Sequence, residues 1–474
     1  MKLSENSILK NNKVFKAGIG YVLVSIITKG LSVLTLPIYT RIIPQNDFGI
    51  INTYYSWVSI LLVVISIDFT TSILIAKNDY NTNDFKKYNS NIILSSSMNV
   101  ILFYLLFLIF RNSITGILNL PEVLIHLLFL DIFVTNIFVL NQMINRVDYS
   151  YKKFIVLALV TAFVSPMLSV PILLIINENQ YLFKILGDIF PKIIISIILL
   201  MPELKKIKCL DKKFINYGLR IAIPLIPHQI SGMILNQFDR VLISKFNGYT
   251  DTAIYSLSYS YASLLSVVWI ALNSAWSPWF FEKMKNDENI KIRDATKKYI
   301  YLLTFAYFPL LLISPELIRL FGPDEYLPGL VIVPIVLYGM AFQFTYSLYV
   351  NIQYYYKNLW FITTVTIVSA GVNFVLNFYF IPVYGYIAAS VTTLISLFII
   401  FIAHFILTNI KYKQKVVNNI FVFKILLFIS IITSLFYLCI DNLMYRLILL
   451  LICWIIIIYL NGRYIKDVLR RGNL

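Results

Sequence analysis

Long apolar segments alternate with short polar connections along almost the whole chain. A transmembrane helix needs about 20 predominantly apolar residues at 1.5 Å rise each, and segments of that length recur from residue 16 to residue 461. No alternating strand pattern accompanies them, so we predict an all-α integral membrane protein without a soluble domain. The pattern predicts about fourteen spans, near 16–40, 50–76, 91–110, 121–143, 154–176, 181–201, 219–245, 253–281, 298–320, 327–353, 359–381, 385–409, 420–440 and 445–461.

The distribution of basic residues orients these spans. Only 13% of the residues are charged and 59% are hydrophobic, yet the net charge is +17. Connections on the side of the N-terminus hold 30 Lys and Arg, and those on the opposite side hold 6. Cytoplasmic loops carry the excess of basic residues. The charge therefore reflects membrane topology rather than nucleic-acid binding, and both termini are predicted to be cytoplasmic.

A weak internal repeat indicates two lobes. A shift of 204 residues, or six spans, aligns 47–61 with 251–265. An even number of spans keeps the two halves parallel, related by an axis along the membrane normal. We predict a lobe over 1–210, a second over 211–410, and two added helices over 411–474. The identical pairs are Asp47/Asp251, Ile50/Ile254, Tyr55/Tyr259, Ser56/Ser260, Ser59/Ser263 and Leu61/Leu265.

The seventh span carries a polar stripe. His228, Gly232, Asn236 and Arg240 are spaced four apart and so share one helix face. Lipid cannot satisfy such a stripe, so it must face other helices or a watery cavity, here called the lumen. His228 and Asn236 are therefore candidate lumen residues.

Ionisable residues within other spans are further candidates, because a charge at the bilayer centre costs about 2.5–3.5 kcal/mol on insertion scales. Lys29 has no carboxylate within helical reach in its own span, so its partner is another helix or a ligand. Asp68 and Asp131 are either its counter-ions or ion-coupling groups. In the sixth span Asp188 lies four residues from both Lys184 and Lys192, and we expect it to neutralise them. Lys192 is also a candidate ligand-binding residue.

Polar pairs in two later spans complete the candidate set. Tyr255 and Tyr259 share a face of the eighth span, and Asn373 and Asn377 share a face of the eleventh. Tyrosines at that spacing suit hydroxyl-rich ligands but also join helices. The chain contains no phosphate-binding GxxxxGK[ST] loop and no HExxH motif, and its three cysteines have no metal-ligand spacing. We therefore predict no cofactor, no metal and no catalytic residue.

Three segments in order resemble one family. They are Pro37–Gly49, with the pattern PxYTR…PxxxFG; Ile223–Arg240 in the seventh span; and Ala275–Phe281, AWSPWFF, at the end of the eighth. Together they resemble the Wzx-type bacterial polysaccharide flippases. The resemblance implies a fold like that of MATE-type exporters and lipid II flippases, in which two six-helix lobes alternate between inward- and outward-open states.

The resemblance also implies a substrate and a location. The substrate is undecaprenyl-pyrophosphate-linked oligosaccharide, moved to the outer leaflet of the bacterial cytoplasmic membrane for O-antigen or capsule synthesis. Polymerase and chain-length proteins are the implied partners beside the membrane lipids. Relatives contact the pyrophosphate with cationic lumen residues, a position that Lys29 occupies, with Lys192 a second candidate. The alternatives are an ion-coupled multidrug antiporter on the same fold and a polysaccharide polymerase or ligase.

The predicted topology is testable with reporter fusions. Fusions after residue 210 and at the C-terminus should give cytoplasmic signals, and a fusion near residue 248 a periplasmic one, because 30 of the basic residues lie on the first side. A periplasmic C-terminus would contradict this orientation.

Overall fold

The computed structural model describes the backbone of residues 2–206, 210–412 and 416–471, and the side chains of 17–18, 20–206, 210–412 and 416–459. Cys209 and the tail from 472 onward lie outside the described residues. The described chain is helical, without a strand. It divides into two compact units, Met1–Ala253 and Ile254–Leu474.

Unit 1 contains ten α-helices. A π-helical segment, Ile234–Phe238, joins the last two of them. The helices are α1 Lys2–Ile42, α2 Gln45–Ser66, α3 Thr70–Asp79, α4 Thr82–Ile109, α5 Arg111–Leu118, α6 Glu122–Val147, α7 Tyr151–Ile175, α8 Gln180–Lys206, α9 Lys212–Met233 and α10 Asp239–Phe246.

Unit 2 contains the remaining helices. The first of them, α11, begins within unit 1, and a 3₁₀ segment, Asp324–Val331, precedes α15. The helices are α11 Tyr249–Ala262, α12 Leu264–Lys285, α13 Asn289–Leu312, α14 Ser314–Phe321, α15 Val333–Tyr355, α16 Leu359–Ile410, α17 Asn419–Cys439 and α18 Leu443–Arg471.

The number of membrane crossings agrees with the sequence pattern. Eleven segments are long and apolar enough to span a bilayer, or twelve when α13 and α14, bent by 66°, count as one. The shorter apolar segment Leu443–Tyr459 adds another. Helix α16 is counted once among these segments but is long enough for two crossings. With that second crossing, the described residues provide fourteen. The prediction of an all-α membrane protein with about fourteen spans is confirmed.

A chain reversal at Gly385 divides α16. In a straight helix 20 residues cover about 30 Å, yet Asn373 Nδ2 lies 3.4 Å from Thr393 Oγ1. The two halves of α16 therefore form an antiparallel hairpin. Gly385 adopts φ 59° and ψ −144°, a conformation that side chains other than hydrogen rarely tolerate.

A second interruption lies between α2 and α3. Ile67 and Asp68 have positive φ angles of 62° and 24°, so the helical hydrogen bonds stop there. Side chains of α4 satisfy the freed carbonyls: Ser96 donates to Ser66 at 2.9 Å and Asn99 donates to Ile65 at 2.6 Å. A break inside a membrane is tolerated where protein groups replace the lost bonds in this way.

Packing places the seventh span in unit 1. Phe214 and Ala222 of α9 belong to a buried cluster with Phe69, Tyr88 and Ile92. Gly218 permits this contact, since a Cβ there would lie 2.7 Å from Ile92 Cδ1. The compact units thus divide at 253/254 rather than at the predicted lobe boundary of 210/211. The lobe division from the repeat stays a prediction, because packing in one conformation does not define which parts move together.

The hairpin in α16 gives a stability prediction. Gly385→Ala should lower the free energy of unfolding by about 1–3 kcal/mol, because alanine is strained at this φ and ψ. The midpoint of heat-induced unfolding in detergent measures the change. Gly371→Ala is the matched control in the same helix, where an added Cβ meets nothing within 4 Å; it should be neutral or stabilising by up to about 1 kcal/mol. Equal effects of the two substitutions would contradict the strained reversal.

Candidate functional site

A polar cavity of about 290 Å³ lies within unit 1. Four helices supply its lining, namely α1, α2, α7 and α8. Its walls combine hydroxyl groups with two lysines and a carboxylate. The lining residues are Thr28, Leu31, Ser32, Thr35, Tyr39, Tyr55, Thr161, Ala162, Ser165, Pro166, Lys184, Asp188 and Lys192.

The first charged pair of the cavity lies along α8. Lys184 Nζ is 2.5 Å from Asp188 Oδ2, one helical turn away. The ammonium also lies over the ring of Tyr39, 4.3 Å from its centroid. Asp188 accepts further hydrogen bonds from Ser165 on α7 and Tyr55 on α2. The carboxylate is thus fully engaged by its own unit, which offsets the cost of removing it from water.

The second pair joins α8 to α6. Lys192 Nζ lies 2.9 Å from Asp131 Oδ1 and 3.2 Å from Thr135 Oγ1. Asp131 has no exposed surface, and Thr135 Oγ1 donates to it at 2.9 Å. The expectation that Asp188 neutralises both lysines is wrong. A buried carboxylate on the neighbouring helix needs a cation, and Lys192 supplies it.

Two consecutive tyrosines of α2 link the pairs. Tyr55 donates to Asp188, and the Tyr54 hydroxyl lies 3.4 Å from Asp131 Oδ2. Their ring centroids are 5.3 Å apart. From the sequence, Tyr55 was noted only as part of the internal repeat, and Tyr54 was not among the predicted site residues. Two adjacent tyrosines inside an apolar span were the available signal, since each buried hydroxyl needs a polar partner.

Lys29 lies on the flank of the cavity face of α1. At 100° per residue its side chain is one position round the helix from Thr28, which lines the cavity. Lys29 is exposed, as are Ser25 and Ser32 above and below it. None of the described residues forms a hydrogen bond or ion pair with its ammonium. Neither Asp68 nor Asp131 is its counter-ion.

The other candidates of unit 1 have local roles. Asp68 Oδ1 accepts from the backbone N–H of Thr70 at 3.2 Å and from its hydroxyl at 2.7 Å, so it satisfies the first N–H of α3 after the break. Asn236 is exposed, and its Nδ2 donates to Gly232 O at 2.7 Å. His228 is half-buried, and its Nδ1 has no hydrogen-bond partner among the described residues.

The candidates of unit 2 are more deeply buried. Tyr255 is fully buried, with its ring centroid 5.6 Å from that of the half-buried Tyr259. Asn377 Nδ2 donates to Asn373 Oδ1 at 3.1 Å, and Thr392 donates to Asn377. Both asparagines have no exposed surface. They join the two halves of α16 by hydrogen bonds.

Comparison with solved structures shows this fold in membrane transporters. "Lipid II flippase MurJ, inward closed conformation" matches with a TM-score of 0.71 and 16% identity, covering 94% of this chain and 99% of that chain. An inward-facing multidrug resistance MATE family transporter gives 0.57 and 12%, covering 82% and 96%. The Vibrio cholerae MATE transporter VcmN in its bent form gives 0.52 and 13%, covering 84% and 97%. The fold is therefore that of membrane transporters, the class predicted from the sequence in place of an enzyme.

The sequence comparison identifies the family. Residues 14–284 match the family described as "Polysaccharide biosynthesis protein". This match covers more than half of the chain, which belongs to that family. No curated protein matches the sequence. The relationship predicted from the three motifs is thus confirmed at the level of family and fold.

The buried pair across α6 and α8 makes a stability prediction. Asp131→Asn leaves the Lys192 ammonium without its carboxylate and should cost about 3–5 kcal/mol of unfolding free energy. The double variant Asp131→Leu/Lys192→Met should lose much less, because no buried charge remains. Denaturation in detergent micelles measures both.

The exposed pair Lys297–Asp294 is the control for this measurement. Its side chains are 40% and 61% exposed, so Asp294→Asn should cost less than about 1 kcal/mol. If Asp131→Asn costs no more than Asp294→Asn, the buried pair does not stabilise unit 1.

Proposed function

We propose that this protein is a flippase for polyprenyl-pyrophosphate-linked oligosaccharide. It moves repeat units of a surface polysaccharide, such as O-antigen or capsule, from the cytoplasmic to the outer leaflet of the cytoplasmic membrane. The single observation that carries the proposal is a hydroxyl-rich cavity, with an exposed cation beside it, inside a chain of the polysaccharide biosynthesis family.

The chemistry of the cargo explains why such a cavity is needed. Each sugar hydroxyl and each phosphate oxygen loses its water partners inside the hydrocarbon and must find others. The walls of the unit 1 cavity provide hydroxyl oxygens on α1 and α7 and charged groups on α8. The polyprenyl tail needs no such partners and stays in lipid. This division of the cargo favours a lipid-linked sugar over a wholly apolar substrate.

Lys29 is the residue we assign to the pyrophosphate. Its ammonium is exposed, and no described carboxylate neutralises it. A charge-assisted hydrogen bond to a phosphate is about twice as strong as a neutral one. Lys192, the second cation considered, is held by Asp131 and is left with a smaller role.

The charge balance argues against a multidrug antiporter on the same fold. A cationic drug or coupling ion needs an available carboxylate. Asp188 is paired with Lys184, and Asp131 with Lys192. Asp68, the third candidate, accepts hydrogen bonds from Thr70 and does not line this cavity. These pairs leave no excess negative charge at the unit 1 cavity.

Alternating access, with both termini cytoplasmic, is the mechanism we infer for this transport. The membrane potential, negative inside, favours outward movement of an anionic headgroup by about 2.3 kcal/mol per charge per 100 mV. Nucleotide hydrolysis is then not required to drive the export. Polymerase and chain-length proteins in the same membrane would receive the exported units.

The decisive experiment follows lipid-linked repeat units in a deletion strain. Without the gene, surface polysaccharide should be lost and single repeat units should accumulate in the cytoplasmic leaflet. Periplasmic accessibility of the units, measured by enzymatic labelling of spheroplasts, reports their leaflet. If single units still reach the periplasm and only the long polymer is missing, the protein is a polymerase.

Complementation of the same strain tests Lys29. Lys29→Ala should abolish export at unchanged protein level, and Lys29→Arg should retain part of it, because arginine keeps the charge and its donors. Lys424→Ala, a lysine near the end of α17 outside the cavity, is the control and should export normally. Full export by Lys29→Ala would remove Lys29 from the binding site.

A further inference from the structure

The hydroxyl groups of the unit 1 cavity share one property: their protons are already used within the protein. On α1, Thr28 Oγ1 lies 2.9 Å from Val24 O, Ser32 Oγ lies 2.8 Å from Thr28 O, and Thr35 Oγ1 lies 3.0 Å from Leu31 O. On α7, Thr161 Oγ1 lies 3.1 Å from Leu157 O. A backbone carbonyl can only accept a hydrogen bond. Each of these four hydroxyls is therefore the donor.

The remaining hydroxyls of the lining behave in the same way. Ser165 and Tyr55 donate to the Asp188 carboxylate. Ser169 donates to Ser165 O at 3.0 Å, so the Tyr39 hydroxyl, 2.8 Å from Ser169 Oγ, donates to Ser169. All seven hydroxyls that line the cavity thus present oxygen lone pairs to a ligand.

The lysines do not change the preference of the lining for a ligand that donates hydrogen bonds. Lys184 and Lys192 are the cationic donors of the lining, and each has a carboxylate partner. The four charges of these two pairs balance. A pyrophosphate carries only acceptors when fully ionised, so it would meet seven acceptor hydroxyls and two ammonium groups that are already paired. A sugar ring, in contrast, brings several hydroxyl donors.

We propose that the unit 1 cavity is a subsite for the sugar next to the pyrophosphate, and that the pyrophosphate itself stays outside at Lys29. This inference rests on the proposed function and adds which part of the cargo the cavity takes. It separates two recognition steps on neighbouring faces of α1. The oxygens of Thr28, Ser32 and Thr35 accept hydrogen bonds from sugar hydroxyls, and Lys29 on the flank binds the pyrophosphate.

Binding to the full-length protein in lipid nanodiscs tests the assignment. The two probes are undecaprenyl pyrophosphate and undecaprenyl pyrophosphoryl glucose, and their dissociation constants are compared. Wild type should bind the glucose-bearing probe more tightly. Thr35→Val/Thr161→Val keeps the side-chain shape but removes two acceptor oxygens of the lining, one on α1 and one on α7. It should weaken binding of the glucose-bearing probe by about tenfold, the loss expected for two hydrogen bonds, and leave the sugar-free probe unchanged.

Two further variants complete the design. Thr364→Val is the matched control, because Thr364 Oγ1 also donates to the carbonyl four residues before it, at 2.9 Å, but lies on α16 outside the cavity; it should change neither constant. Lys29→Ala should weaken the binding of both probes.

The outcomes separate the two proposals. Equal weakening of both probes by Thr35→Val/Thr161→Val would show that the cavity holds the pyrophosphate and would overturn the sugar subsite. An unchanged affinity for the glucose-bearing probe in that variant would overturn it as well, while leaving the flippase proposal intact. If wild type binds neither probe, the proposed function fails and the subsite fails with it.

Discussion

A hydrocarbon interior provides no partner for a polar group, and this constraint accounts for the buried ion pairs inside unit 1. Lys192 and Asp131 show it most directly, since Asp131 has no exposed surface and yet carries a carboxylate. Each charge would cost several kcal/mol alone and becomes tolerable when paired and hydrogen-bonded. Thr135 and Tyr54 supply the additional bonds. The same requirement pairs Lys184 with Asp188 nearer the start of α8, where Tyr55 of α2 donates a further hydrogen bond.

The backbone obeys the same constraint as the side chains. Where α2 ends at Ser66, its free carbonyls are met by α4, and the Asp68 carboxylate receives the first N–H of α3. Irregular backbone inside a membrane is permitted where protein surrounds it. Polar residues that look functional in an apolar sequence therefore divide into two sorts. Some, such as Asn373 and Asn377, satisfy other protein groups completely, whereas Lys29 has no described partner and remains available for a ligand.

The unit 1 cavity combines paired charges with hydroxyl groups whose protons are already used within the protein. Our proposal is that hydrogen-bond complementarity selects its ligand. Helical hydroxyls that donate to the preceding turn expose acceptors, a consequence of helix geometry rather than of any special side chain. In our proposal, a protein of the polysaccharide biosynthesis family binds an uncharged sugar in this way inside the membrane and contacts its anionic linker with one separate lysine.

The sequence alone predicted the class and the number of spans, because hydropathy acts over whole segments. The orientation from the basic residues stays a prediction. The sequence also predicted Lys29 as a cation without a carboxylate in its own span, since helical spacing shows every partner within reach on one helix. The partner of Lys192 lies on another helix, and spacing along α8 wrongly favoured Asp188. Tyr54 and the unit 1 cavity likewise depend on contacts between helices. Only the tertiary structure decided them, because in a membrane each buried polar group takes whichever partner the packing of helices brings near.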